Sequence, residues 1–339
     1  MNTTFLDACY QKETSYTPVW YMRQAGRYLP EYRKLKEKHT ILDIVKTPEL
    51  AAQVSLQPVS VLGVDAAILF ADIMIPLLGI GIDLEIVENI GPVIKHPLSS
   101  RKDVEKFRAL QPKQDIPYLL KTISILKNEL KNKVPLIGFS AAPFTLASYL
   151  IEGKPTRDFI KTKSFMYTNT QVWVHLMETL TDLIITYLIS QITAGVQVVQ
   201  LFDSWVGCLS DSDYQEYVLP YTKHIFEILS QQKIPLVHFG TNTAGLLSSF
   251  ASVSCDVISI DWRMEIHKAW KEINYEKSIQ GNLDPVVLLS DFAVIKKHVD
   301  QIFETIPKKN GYIFNLGHGV LPNTPVKNLI KLTQYVHSK

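Results

Sequence analysis

Leu183-Ile-Ile-Thr-Tyr-Leu-Ile-Ser-Gln-Ile-Thr-Ala-Gly-Val-Gln-Val-Val-Gln-Leu-Phe202 is the longest uncharged run in the 339-residue chain, and its reading decides the fold. By length alone it could span a bilayer. It carries Gln191, Gln197 and Gln200, however, and Gly195 divides it. The part before Gly195 continues a long apolar helical stretch, whereas Val196–Phe202 is short and β-branched. A buried helix, a glycine turn and a buried strand account for all of these features. The run therefore reads as part of an α/β core and not as a membrane span.

The same alternation recurs along the chain. Candidate strands are Pro18–Met22, Ala66–Ala71, Val134–Phe139, Val196–Phe202, Pro235–Phe239, Val257–Ile260, Ser278–Gln280 and Tyr312–Leu316. Several are unbroken apolar runs, as parallel strands buried on both faces require. Between them lie helix-like stretches at Pro48–Leu62, Val104–Leu130, Val172–Ile192, Asp211–Ser230, Pro285–Thr305 and Pro325–His337. Leu84–Pro97, with Asn89 to Gly91 at its centre, reads as an inserted β-hairpin. Eight strands alternating with helices predict an α/β fold, first a (β/α)8 TIM barrel and second an open doubly wound sheet. No linker, repeat or low-complexity tract divides the chain, so residues 1–339 are expected to form a single domain.

Charge and cysteine content narrow the function classes. Lys plus Arg number 35 against 33 for Asp plus Glu, a net charge of +2 with no basic tail or charge block. That gives no bulk attraction to nucleic acid or to an anionic membrane; a cation-dependent ligand site would have to be local. Cys9, Cys208 and Cys255 form no CxxC or Cys/His cluster, which suits a reducing, cytoplasmic setting and no metal site. The first residues lack the basic and apolar regions of a signal peptide. Gly79-x-Gly81 has no third glycine, and GxxxxGK[ST], HExxH, GxSxG and EF-hand patterns are absent. Any reaction is expected to use side chains alone, without a cofactor.

A barrel places its site beyond the C-terminal ends of the strands. The residues there are Arg23, Gln24 and Arg27, then Asp72, then Ser140 to Thr145, then Asp203 and Ser204. His238, Asp261, Asn282 and His318 follow the remaining strands. Each admits two readings. Arg23 and Arg27, four apart around Gly26, are either salt-bridged at a helix start or a clamp for anionic oxygens. Asp72 is either a turn cap or a carboxylate that gathers several N–H donors. Thr145 reads as a helix cap, and Tyr149 as a packing residue or a member of the site. Ser204 lacks a nucleophile-elbow context and is a hydrogen-bonding group at most. His318, between Gly317 and Gly319, sits in backbone that something approaches closely.

Taken together, Pro18-Val-Trp-Tyr-Met-Arg-Gln-Ala-Gly-Arg-Tyr-Leu-Pro-Glu-Tyr-Arg33 and Gly138-Phe-Ser-Ala-Ala-Pro-Phe-Thr-Leu-Ala-Ser-Tyr-Leu-Ile-Glu-Gly153 resemble the uroporphyrinogen decarboxylase family of haem biosynthesis. The segments LFADIMIP, QLFDSWVG, SIQGNLDP and NLGHGVLPNTP extend the resemblance over nearly the whole chain. It implies a distorted barrel, a homodimer, and a carboxy-lyase that needs neither cofactor nor metal. The implied reaction removes the four acetate carboxyl groups of uroporphyrinogen III, giving coproporphyrinogen III and carbon dioxide. Carried over by motif, Arg23 and Arg27 bind substrate carboxylates with Gln24 beside them. Asp72 is the essential carboxylate, and Tyr149, Ser204 and His318 complete the site, with Arg23, Asp72, Tyr149 and His318 as its catalytic members.

Two other readings remain open. Related barrels that transfer methyl groups hold zinc through His and two Cys, and His238 is followed by Phe239, Gly240 and Thr241 with no cysteine near it in sequence. A carrier that binds a tetrapyrrole without turning it over would use the same cleft.

Overall fold

Strands that are apolar on both faces have to be covered on both faces, and the chain does this by curling them into a ring beneath helices. The computed structural model describes residues 2–87 and 90–339. Its strands are β1 (Ala67–Ile68), β2 (Leu84–Val87), β3 (Gly91–Ile94), β4 (Leu136–Ala141), β5 (Val198–Asp203), β6 (Leu236–Gly240), β7 (Val257–Ser259), β8 (Ser278–Leu283) and β9 (Tyr312–Leu316). All but β2 and β3 form one sheet in the order β1-β4-β5-β6-β7-β8-β9, parallel throughout. β2 and β3 pair as the expected antiparallel hairpin, with Leu84 opposite Ile94 and Val87 opposite Gly91; Asn89, expected at its centre, lies outside the described residues.

The expected first strand, Pro18–Met22, is not a regular strand. It makes one parallel bridge, Val19 to Phe314 of β9. The Phe314 N–H donates to Pro18 O at 2.9 Å and the Trp20 N–H to Phe314 O at 3.4 Å. On the other side Asp65 stands in for a ladder. Its backbone N–H donates to Val19 O at 2.8 Å, while its Oδ2 accepts from the Val19 N–H at 2.8 Å. Pro18 has no N–H to give and a carboxylate takes the next one, so regular pairing stops. The segment lies between β9 and the residues leading into β1. The barrel is thus a distorted (β/α)8 ring of seven regular strands closed by one irregular segment.

The helices differ from expectation mainly at prolines. Pro48–Leu62 is one helix, but the expected Val104–Leu130 is three: Arg101–Val104, Pro112–Asp115 and Pro117–Glu129. A proline opens each of the last two, since it fits the first turn and breaks the interior. The expected Asp211–Ser230 divides into Asp211–Tyr217 and Leu219–Ser230 beside Pro220, and Pro285–Leu289 is a 3₁₀ turn before the helix Phe292–Thr305. The final helix is Val326–His337.

The opening stretch behaves as its glutamines predict. The helix Thr170–Ala194 ends at Gly195, whose φ of +129° excludes most other residues, and β5 follows. Among the described residues this is the helix long and apolar enough to cross a membrane, and half of its apolar window is buried inside the fold. Buried Gln191 reaches back to β4. Its Oε1 accepts from the Phe139 N–H at 3.0 Å and its Nε2 donates to Phe139 O at 2.9 Å. It satisfies both backbone groups beyond the end of the two-residue β1. Inside the ring, Gln280 accepts from Trp20 Nε1 at 2.7 Å and donates to Gln200 Oε1 at 3.2 Å and to Ser259 Oγ at 2.9 Å.

Candidate active site

A cleft of about 350 Å³ opens beyond the C-terminal ends of the strands, within the range of small-molecule sites. Arg23 and Arg27 follow the closing segment, Asp72 follows β1, Tyr149 lies in the second turn of the helix Pro143–Glu152, Ser204 follows β5 and His318 follows β9. All six line the cleft. Gln24, expected beside the substrate, does not line the cleft. Its side chain is buried, with Oε1 accepting from the Tyr21 N–H at 3.1 Å and Nε2 donating to Ala66 O at 2.9 Å. Gln24 ties the closing segment to β1 from behind the wall.

Asp72 is a turn cap and a cleft residue at once. Its Oδ1 accepts from the Met74 N–H at 2.9 Å, where the short helix Ile75–Gly79 begins. Its Oδ2 has no hydrogen-bond partner among the described residues. Burial pushes its pKa up, against the opposing pull of the Met74 N–H and the charge of Arg23. Arg23 makes no ion pair with a described residue, so the reading of a helix-start salt bridge fails for it. Its backbone is left-handed at φ +57°. The same guanidinium acts electrostatically on three of its neighbours, Asp72, Tyr149 and His318.

Burial, with Arg23 next in weight, lowers the His318 pKa to about 4. The imidazole is therefore neutral at pH 7 and enters the site as a hydrogen-bonding ring, not as a cation. Burial raises the Tyr149 phenol, and the charge of Asp72 raises it further, so it stays protonated. Trp205 packs against Tyr149 with ring centroids 4.1 Å apart, and Phe159 covers Trp205 at 5.1 Å.

The apolar side of the cleft was not foreseen. Phe139, Phe202 and Phe239, one each from β4, β5 and β6, stand edge to face in a row, with successive centroids 5.6 Å apart. His318 continues the row 6.5 Å from Phe239. Nothing in the sequence separates these phenylalanines from core residues, because buried strands are apolar at every position.

The other residues beyond the strands have structural partners. Asp261 accepts from the Asn242 N–H at 2.8 Å and pairs with the Arg263 guanidinium. Asn282 donates to Asp261 O at 2.9 Å and to Met264 O at 2.6 Å. Thr145, expected as a cap, instead donates to Asp203 at 3.4 Å; the N-cap is Ala142. His238 stacks on Phe250, centroids 3.6 Å apart, with Nδ1 3.2 Å from Phe250 O. Its Nε2 is 3.8 Å from Asp203 Oδ2, too long for a hydrogen bond, and burial moves both groups toward their uncharged forms. Among the described residues no group of three His, Cys, Asp or Glu is arranged to hold a metal ion.

Fold and site together define a parallel β/α barrel with a carboxylate and two arginines in a partly aromatic cleft. The family model for uroporphyrinogen decarboxylase (URO-D) matches residues 1–339, and the chain belongs to that family. It is 48% identical to uroporphyrinogen decarboxylase of Carboxydothermus hydrogenoformans over 337 residues, covering 99% of this chain and 96% of that protein. It is 49% identical to the Bacillus subtilis protein of the same name over 336 residues, covering 99% and 95%. Among solved structures it is similar to a methyltransferase from Methanosarcina mazei, with a TM-score of 0.82 at 20% identity over 99% of this chain and 98% of that one. That likeness speaks for the fold alone.

Proposed function

We propose that this chain is a carboxy-lyase that converts the four acetate arms of uroporphyrinogen to methyl groups, giving coproporphyrinogen and carbon dioxide. The observation that carries the reading is Asp72, a half-buried carboxylate in the cleft whose second oxygen has no partner among the described residues, with Arg23, which makes no ion pair with a described residue, beside it. The substrate has four pyrrole N–H groups inside and eight carboxylates outside. Asp72 accepts from the inner N–H groups and draws the flexible macrocycle into a dome. Arg23 and Arg27 take the outer carboxylates through paired donors. The row of Phe139, Phe202 and Phe239 covers the apolar rings, and Tyr149, Ser204 and His318 serve as neutral hydrogen-bonding groups.

Protonation of a pyrrole carbon makes the ring cationic. The bond between the arm's methylene and its carboxyl carbon then breaks, carbon dioxide leaves, and the electron pair flows into the ring to form an exocyclic methylene. A proton added there gives the methyl group, and loss of the ring proton restores the pyrrole. Each arm consumes one proton overall. The ring itself is the electron sink, and the fixed negative charge of Asp72 stabilises the cation by preorganised electrostatics.

The same reading makes residues 1–339 one domain of a cytoplasmic homodimer, with uroporphyrinogen as its partner and neither nucleic acid nor membrane. The near-neutral net charge of +2 supports the last part, since it gives no bulk attraction to a polyanion. Anaerobic incubation with uroporphyrinogen, followed by separation of the porphyrins, tests the reaction: coproporphyrin is expected. Bound but unchanged uroporphyrin would instead make the chain a carrier. Light scattering at twice the chain mass tests the dimer.

A further inference from the structure

We propose that Gly319 is a positioning residue for Arg23: its bare backbone is the rest on which the arginine stem lies, and it sets how the guanidinium enters the cleft. The inference rests on the reading of Arg23 as a carboxylate-binding group. A Cβ on Gly319 would stand 3.0 Å from Arg23 Cβ and 2.6 Å from Cγ, and nearer still to Cδ. Contacts at the root of a side chain cannot be relieved by moving its tip, so Cγ and Cδ would have to leave through a change of rotamer, while the longer Cβ contact asks only a few tenths of an ångström of the backbone.

Neither backbone has room to yield. The Met22 N–H donates to Asn315 Oδ1 at 3.1 Å, the Val320 N–H to Met22 O at 2.8 Å, and the Gln24 N–H to Tyr21 O at 2.9 Å. Those bonds fix the residues on both sides of Arg23 and the residue after Gly319. The guanidinium has no ion pair among the described residues to hold it in place. Steric contact with Gly319 is therefore what aims it. Gly319 is also absent from the positive-φ residues, so its backbone accepts alanine without strain. The space over the α-carbon is what requires glycine there.

The test compares Gly319→Ala, Arg23→Ala and the double variant in two measurements. The first is fluorescence titration with coproporphyrin, the oxidised product. The second is the NMR titration of His318 in the ligand-free protein, where Arg23, Arg263 and Asp261 are the charged groups that act on the ring. Gly319→Ala is expected to weaken coproporphyrin binding about tenfold or more. The double variant should bind no worse than Arg23→Ala, because Cγ and Cδ, the two closest clashing atoms, have gone and only the 3.0 Å contact to Cβ remains. The His318 midpoint should rise in both single variants, as a positive charge recedes from the ring. Additive losses in the double variant, or wild-type binding and an unmoved His318 midpoint in Gly319→Ala, would overturn the inference. If Arg23→Ala itself binds normally, the carboxylate clamp falls instead. The His318 midpoint of Gly319→Ala then decides alone: movement supports the positioning role and no movement ends it.

Discussion

The Met74 amide lies 2.9 Å from Oδ1 of Asp72 and holds that carboxylate by one oxygen, leaving the other without a described partner. Fixing one oxygen orients the second before any ligand arrives, so in the proposed mechanism the charge would need no rearrangement during the reaction. Asp72→Ala should reduce kcat by about 10²–10³-fold or more. Asp72→Glu should keep a small remnant, because its longer arm keeps the charge but displaces it. Wild-type formation of coproporphyrinogen by Asp72→Ala would remove the carboxylate from the mechanism.

The raised pKa of Asp72 has two consequences of fixed sign. Activity should fall as pH drops through that pKa, so the acid limb lies above the ordinary carboxylate value of about 4. Folded protein also holds this proton more tightly than unfolded chain does. Stability attributable to Asp72 therefore declines as pH rises through the window from the unfolded to the folded pKa. Inactive Asp72→Asn, whose side-chain oxygen can still accept from Met74, should show a higher urea midpoint than wild type at pH 7. The gap should close at acid pH below both values; equal midpoints at pH 7 would contradict the burial argument.

Arg27 is exposed at the cleft rim, where its charge acts through solvent. Arg27→Ala should weaken coproporphyrin binding by about tenfold at low salt and by less at high salt, where screening already weakens the contact. KM should change more than kcat. A binding curve that overlays wild type at every ionic strength would show that Arg27 does not meet carboxylates.

Gln191 tests the frame that carries the site. Gln191→Leu leaves a buried N–H and a buried carbonyl of Phe139 unpaired, which should lower stability by about 2–4 kcal/mol in urea unfolding. The folded fraction should still turn over substrate. A loss below about 0.5 kcal/mol would mean that water takes over both groups.

Much of this arrangement was legible in the sequence because strand ends announce themselves. Asp72, Ser204 and His318 each come just after a largely apolar strand, and the fold delivers those side chains into one cleft. Arg23 and Arg27 were legible as charges in an apolar, aromatic segment, but not as partners of a substrate until the family resemblance was added. The direction of Gln24 is not readable, because sequence gives its neighbours and not its orientation: it points back to Ala66 O. The irregularity of Pro18–Met22 depends on a carboxylate 46 residues away. The helix breaks at Pro112 and Pro117 are readable from proline alone. Phe139, Phe202 and Phe239 were not readable at all, since cleft and core make the same demand for apolar surface.

The irregular closing segment also leads directly into the two arginines, and this couples two properties that most barrels keep apart. Residues 18–22 join the ring through few backbone bonds, so the seam should be the first part of the cylinder to open in native-state hydrogen exchange. An anion gripped by Arg23 and Arg27, as proposed, would also fasten that seam, by mass action on the closed form. Occupancy and mechanical integrity would then rise together: an idle molecule would breathe along one edge, and a loaded one would be zipped shut by its own cargo.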